Sequence, residues 1–225
     1  MAKHLTRELD ALQGRLLALA GLAEEAVDRA ARALRGRDTA LAAAAVAADT
    51  TIDLLENEIQ EECLKILALH QPVAADLRRV AAVFSITTDL ERIGDLAVDI
   101  ADRAAALADA TLPTPDRIDR LTNVVTVMVR QAIEAFLQHD SRLAARVIGL
   151  DDEADQLHAE VIAELISGMK ADPAAVDAGV SLFSVARHLE RIGDHATNIA
   201  EDVVYLVEGE IIRRRPAARG RPAPI

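Results

Sequence analysis

Carboxylates recur at helical spacing in four places along this chain. Glu91 and Asp95 stand four residues apart, as do Glu190 and Asp194, Asp49 and Asp53, and Asp151 and Asp155. Residues four apart share one face of a helix, so each pair offers two adjacent carboxylates. Carboxylates gathered in one place repel unless they are solvated, protonated or neutralised by a cation. Oxygen-only ligands suit Mg2+, Ca2+, Mn2+ or iron, and several carboxylates can bridge more than one ion. A plain wet face, with Arg92 or Arg103 as neutralising partner, is the alternative reading of the same spacing.

Two of these pairs lie in stretches that nearly repeat. LERIGDLAVDIAD (Leu90–Asp102) and LERIGDHATNIAE (Leu189–Glu201) are offset by 99 residues. DTALAAAAVAADTTID (Asp38–Asp53) lies over DSRLAARVIGLDDEAD (Asp140–Asp155) at an offset of 102. Such self-similarity implies a duplicated unit. Punctuation falls at matching places too: Gln71-Pro72 against Asp172-Pro173, and Gly36-Arg37-Asp38 against Gln138-His139-Asp140. Pro favours the first turn of a helix, and Asp38, Asp140 and Asp172 suit N-cap positions. The pattern predicts six helices, over about 5–35, 39–70, 73–109, 116–138, 141–170 and 174–210. Short turns make neighbours antiparallel. The expected fold is therefore all-α, two tandem pseudo-symmetric three-helix bundles. We divide the chain at 1–112, 113–212 and a tail of 213–225.

That architecture positions the acids. Asp53 lies 18 residues before Gln71 and Glu91 lies 19 after Pro72. At about 1.5 Å per residue both sit roughly 27–29 Å from the turn. Asp49 is level with Asp95 in the same way. In the second half Asp155 and Glu190 are each 17 residues from the turn at 172–173, and Asp151 and Asp194 are each 21 away. Each bundle thus brings two carboxylate pairs to one height, with helical phase still open. Asp99 and its counterpart Asn198, one turn further along, could add oxygen ligands. Leu90, Ile93, Ala97, Ile100, Ala104 and Leu107 form a core seam on a different stripe. Asp152 and Glu153 crowd the second acid run, which leaves open whether Asp151 or Asp152 faces the site.

Other features are weaker. Gly94 and Gly193 sit mid-helix at a cost of about 1 kcal/mol each relative to Ala; close packing and room for a ligand both remain open. His188, His195 and His158 replace Asp89, Leu96 and Glu56 of the first half. No Glu-x-x-His motif occurs, so the paired signature of ferritin-like di-iron oxidases is missing. No phosphate-binding loop, GxGxxG or nucleophile with an obvious base is present, and no catalytic residue is assigned.

Composition bounds the rest. Half of the 225 residues are apolar, aromatics are 2%, and the formal net charge is −12. Good helix formers dominate. A general nucleic-acid binder needs a basic footprint that this chain lacks. Cys63 is the single cysteine and lies on an apolar stripe, where a packed, inert thiol is expected. No signal peptide and no membrane span is expected. The tail holds five arginines and three prolines, and disorder is expected there.

On these motifs the chain resembles the PhoU family of phosphate-signalling regulators. The resemblance covers about 5–210. It rests on both Glu-Arg-x-Gly-Asp motifs, the duplicated architecture and the turn Gln71-Pro72-Val73-Ala74-Ala75-Asp76-Leu77-Arg78. It implies a cytoplasmic, non-enzymatic negative regulator of phosphate uptake and of the phosphate-starvation response. The implied partners are the transporter ATPase subunit, a sensor histidine kinase and a second copy of the chain, with the membrane reached through partners only. The implied cofactor is metal, iron first, with Mn, Mg, Ca and Zn open. The implied ligands are Glu91, Asp95, Glu190 and Asp194, with Asp49, Asp53, Asp151 and Asp155 from the second helices and Asp99 and Asn198 following. A carboxylate-bridged metalloenzyme is the competing expectation.

Overall fold

The computed structural model describes the backbone of residues 2–110 and 112–209, with side chains from residue 4 onward. Six helices follow one another: α1 Ala2–Gly36, α2 Thr39–His70, α3 Ala74–Ala106, α4 Asp116–Gln138, α5 Ser141–Ala171 and α6 Val176–Glu208. A 3-10 turn, Pro173–Ala175, precedes α6, and no strand occurs among the described residues. The tail at 213–225 lies outside them.

The helix starts have local causes. Asp38 Oδ1 accepts from the Leu41 amide at 2.9 Å, and Asp140 Oδ1 accepts from the amides of Arg142 and Leu143. Each satisfies first-turn donors that have no partner within the helix. Asp172 accepts from Ala174 N at 3.0 Å and so caps the 3-10 turn. For that reason α6 begins at Val176, slightly later than the sequence predicts. At its other end α3 stops at Ala106, short of the expected 109. The Leu107 amide turns back onto the carbonyls of Arg103 and Ala104. Across the bundle, the Arg37 guanidinium donates to the carbonyls of Leu107, Ala110 and Leu112, which ties the link between the halves to the α1–α2 corner.

Each half is a three-helix unit, α1–α3 and α4–α6. The predicted seam is buried throughout, from Leu90 to Leu107. Cys63 is fully buried, and burial pushes its thiol up to about 12, so it stays protonated and inert.

The halves meet along α3 and α6, which run antiparallel, and again where α1 passes α4. Asp89 lies against Asn198, while Asp99 lies against His188. The 99-residue repeat exchanges these two contacts, as a twofold relation requires. Ion pairs Arg35–Asp119 and Arg130–Glu24 join α1 to α4. Helices α2 and α5 are left on the outer flanks, each packed on its own third helix. None of the described helices is long and apolar enough to cross a membrane.

Candidate metal centres

In the first half, α2 and α3 cross closely enough to bring the predicted acids together. A carboxylate oxygen from each of Asp49, Asp53 and Asp95 lies within 4.8 Å of the others. The close approach depends on Gly94. A Cβ there would sit 2.9 Å from Ile52 Cδ1 and 3.7 Å from Asp49 Oδ1. Its twin differs, since a Cβ on Gly193 would make only ordinary contacts, 3.5 Å or more, with Val125 and Met128. Close packing therefore accounts for Gly94 in α3, and no such demand exists at Gly193.

Glu91 is not within that trio but is near enough to feel the charges of Asp95 and Asp53. Burial pushes its carboxyl up to about 7, aided by Asp95, Glu56 and Asp53 and opposed by Arg92. Asp49 is raised by burial and then by Asp53 and Asp95. The neutralising arginine is real: Arg92 Nη1 lies 2.9 Å from Asp95 Oδ2, and its Nε lies 3.4 Å from Glu91 Oε2. Its own side chain is about half exposed. Asp49 Oδ1 stays buried with no hydrogen-bond partner. A buried carboxylate oxygen left unpaired is costly, and a cation held between Asp49, Asp53 and Asp95 would satisfy it.

The second half gathers its four acids more loosely. Burial raises Asp194 to about 6, with Glu190, Asp151 and Asp155 adding to the rise. Glu190 is raised by burial and by Asp155 and Asp151. Thr197 Oγ1 donates to Asp151 Oδ1 at 3.3 Å, so Asp151 has a defined partner on α6. Among the described residues, no trio as tight as that of the first half closes here.

Asp99 is not part of the first-half trio, while Asn198 lines one groove with Asp151 and Asp194. Both lie on the α3–α6 seam. Asn198 Nδ2 donates to Asp89 Oδ1 at 3.2 Å, and His195 Nδ1 is 2.8 Å from the same oxygen. Asp99 Oδ2 is 3.6 Å from His188 Nδ1. Two further residues border the sites. Glu56, raised by burial and Asp53, extends the stripe of Asp49 and Asp53 by one turn. That 4-then-3 spacing was visible in the sequence. His158 holds the same place in the second half, and burial lowers its pKa despite Asp155 and Asp194. Asp89 had no local signal, because its partners lie more than a hundred residues away.

The two acid groups stand at equivalent places in the repeat and offer carboxylate oxygens, the ligand type that hard metal ions take. A family model, PhoU domain, matches twice, at residues 16–104 and 118–203. The chain belongs to the PhoU family. The phosphate-specific transport system accessory protein PhoU homologue of Aquifex aeolicus is 40% identical over 212 residues, 94% of this chain and 96% of that protein. The homologue of Pseudomonas aeruginosa is 37% identical, covering 95% of this chain and 89% of that one. The crystal structure of PhoU from Pseudomonas aeruginosa aligns with a TM-score of 0.88 at 38% identity, covering 91% of this chain and 99% of that one. The phosphate transport system regulatory protein PhoU from Streptococcus pneumoniae aligns with a TM-score of 0.88 at 29% identity, covering 93% and 100%. PhoU proteins are accessory and regulatory proteins rather than enzymes, and the competing expectation of a metalloenzyme falls with that assignment.

Proposed function

We propose that this protein is a negative regulator of phosphate uptake and phosphate-starvation signalling. It acts in the cytoplasm as a metal-binding adaptor between the transporter ATPase and a sensor histidine kinase. It is a homodimer and is peripheral to the membrane through those partners. The observation that carries the reading is the match of both halves to PhoU domains, at near full length of relatives named for phosphate transport. The duplicated acid groups supply the mechanism.

Glu91 and Asp194 are held partly protonated near neutral pH by burial and mutual repulsion. Bound metal, most readily iron, relieves that repulsion and fixes α2 on α3 and α5 on α6. Asp49, Asp53, Glu91 and Asp95 would hold it in one half, and Asp151, Asp155, Glu190 and Asp194 in the other. An adaptor passes information only if two docking states differ in affinity for a partner. The helix pairs stiffened by the ion are the elements whose arrangement distinguishes such states. A chain of net charge −12 has no evident reason to attract free phosphate by itself.

Deleting the gene should derepress phosphate-uptake genes in phosphate-rich medium, and the intact gene should restore repression. Unchanged expression and uptake in the deletion strain would refute the regulatory role.

A further inference from the structure

Residues 210–225 hold Arg213, Arg214, Arg215, Arg219 and Arg221 against one acid, Glu210. Without those five arginines the formal charge of the chain falls from −12 to −17. A segment so rich in charge and proline buries too little apolar surface to form a core of its own. A surface of opposite charge is what can give it a fixed place.

One such surface adjoins the point where the segment begins. A groove of about 620 Å3 runs between α3 and α6, bordered by Phe84 and Asp89 on one side and Asn198, Glu201 and Asp202 on the other. Its described lining holds three carboxylates and neither lysine nor arginine, and Phe84 is 36% exposed. Guanidinium groups suit both features, because they pair with carboxylates and stack on aromatic faces. The chain also leaves α6 on this side. Gly209, with φ 76°, ends the helix, and a Cβ on it would lie 4.0 Å from Arg78 Nη1 of α3. Asp202 is six residues before Glu208, about 9 Å along the axis. Arg213 is four residues beyond Gly209 and Arg221 twelve, so extended chain spans about 13 Å and about 40 Å to them. Every arginine of the segment is thus long enough in reach to return to the groove.

The internal repeat supplies a comparison. At the 99-residue offset Thr88, Asp89 and Asp202 correspond to Arg187, His188 and Arg103. The twin place sets those two arginines against Asp99 and Asp102, so its charge is balanced. The chain that follows α3, residues 107–115, carries no lysine or arginine. Acid without counter-charge and a run of arginines therefore occur at the same end of the same helix pair, and neither occurs at the other.

We propose that residues 210–225 fold back on their own chain and dock in the α3–α6 groove, arginines against Glu201 and Asp202 and a guanidinium over Phe84, with Asp89 adding to the negative field. A tethered segment meets its groove at about millimolar effective concentration, so a Kd of about 0.1 mM between separate molecules would still leave it about nine-tenths docked. Docked, the segment closes this groove to other basic chains. The inference does not depend on the metal reading.

The test uses the full chain in chelator, with a nitroxide on Ala218→Cys. Cys63 is buried and its thiol is pushed up to about 12, so the label goes to one site. Amide signals of residues 81–89 and 198–202 should be broadened away, and those of the twin place at 180–188 and 99–103 retained. Arg213→Gln, Arg214→Gln and Arg215→Gln together should restore the lost signals, as should Glu201→Gln with Asp202→Asn, while Asp99→Asn with Asp102→Asn should not. The arginine variants alter none of the residues that build the helices, so that arm stands whether or not the groove variants fold. Equal broadening with and without the arginines would show mere tethering and overturn the inference. Broadening that passes from a labelled chain to an isotope-enriched, unlabelled one would put the segment in the groove of a second copy and overturn docking within one chain.

Discussion

Replacing Glu91 by Gln should make the metal-free protein more stable at pH 8 and the metal-loaded protein less so. The Glu91 side chain is 15% exposed, and burial with Asp95 leads the rise of its pKa from 4.5 to about 7, against the pull of Arg92. A raised acid pKa means that the native state keeps a proton which the unfolded chain releases. Stability is then greatest below about pH 4.5, falls as pH climbs towards 7, and is flat above. Undiscounted, the rise corresponds to about 3 kcal/mol, at about 1.4 kcal/mol for each tenfold in proton affinity. Solvent in the groove and the exposed Arg92 reduce that to about 1 kcal/mol. Glutamine carries no charge to desolvate, so Glu91→Gln should gain about 1 kcal/mol at pH 8 with chelator and nothing at pH 4. Urea unfolding followed by circular dichroism at both pH values reads this directly. With Mn2+ at a hundred times its Kd, the wild type should gain about 2.7 kcal/mol. The variant, one ligand short, should gain less, and the order reverses. If Glu91→Gln instead loses stability at pH 8 in chelator, the Arg92 ion pair outweighs the repulsion. The acid group would then be a salt-bridged wet face.

The two glycines should respond with opposite signs. Gly94→Ala forces a Cβ to 2.9 Å from Ile52 and should cost about 1–2 kcal/mol after the helix-propensity gain, while Gly193→Ala meets only ordinary contacts and should gain up to about 1 kcal/mol, both read from urea midpoints. Arg37→Ala leaves the carbonyls of Leu107, Ala110 and Leu112 without their charged donor; it should cost about 2 kcal/mol and speed amide exchange at the C-terminal end of α3. Asp140→Ala removes the acceptor for two first-turn amides of α5 and should cost about 1 kcal/mol by thermal or urea unfolding.

Most of the fold was written in local signals. Asp38 and Asp140 cap the helices that their positions predict, and the seam from Leu90 to Leu107 is buried as its 3-4 spacing requires. Level heights on antiparallel helices brought Asp49 and Asp53 to Asp95. Where the reading fell short, the cause lay outside the local sequence. The end of α3 depends on an arginine some 70 residues earlier. Asn198 and Asp99 read as further ligands because they follow the acid stripe. Both reach the seam, where residues of the other half engage them, and Asn198 also borders the groove of Asp151 and Asp194. Glu56 and His158 were legible by spacing, yet only the structure shows that the histidine nitrogen is buried and unpaired.

The central claim is that each half holds metal between its second and third helices. A crystal structure of protein purified without chelator, with anomalous data collected across the iron and manganese edges, tests it most directly. We expect one anomalous peak among Asp49, Asp53, Glu91 and Asp95, a second among Asp151, Asp155, Glu190 and Asp194, and Arg92 displaced from Asp95. Crystals with no anomalous density in either groove, and with Arg92 still bridging Glu91 and Asp95, would contradict the account.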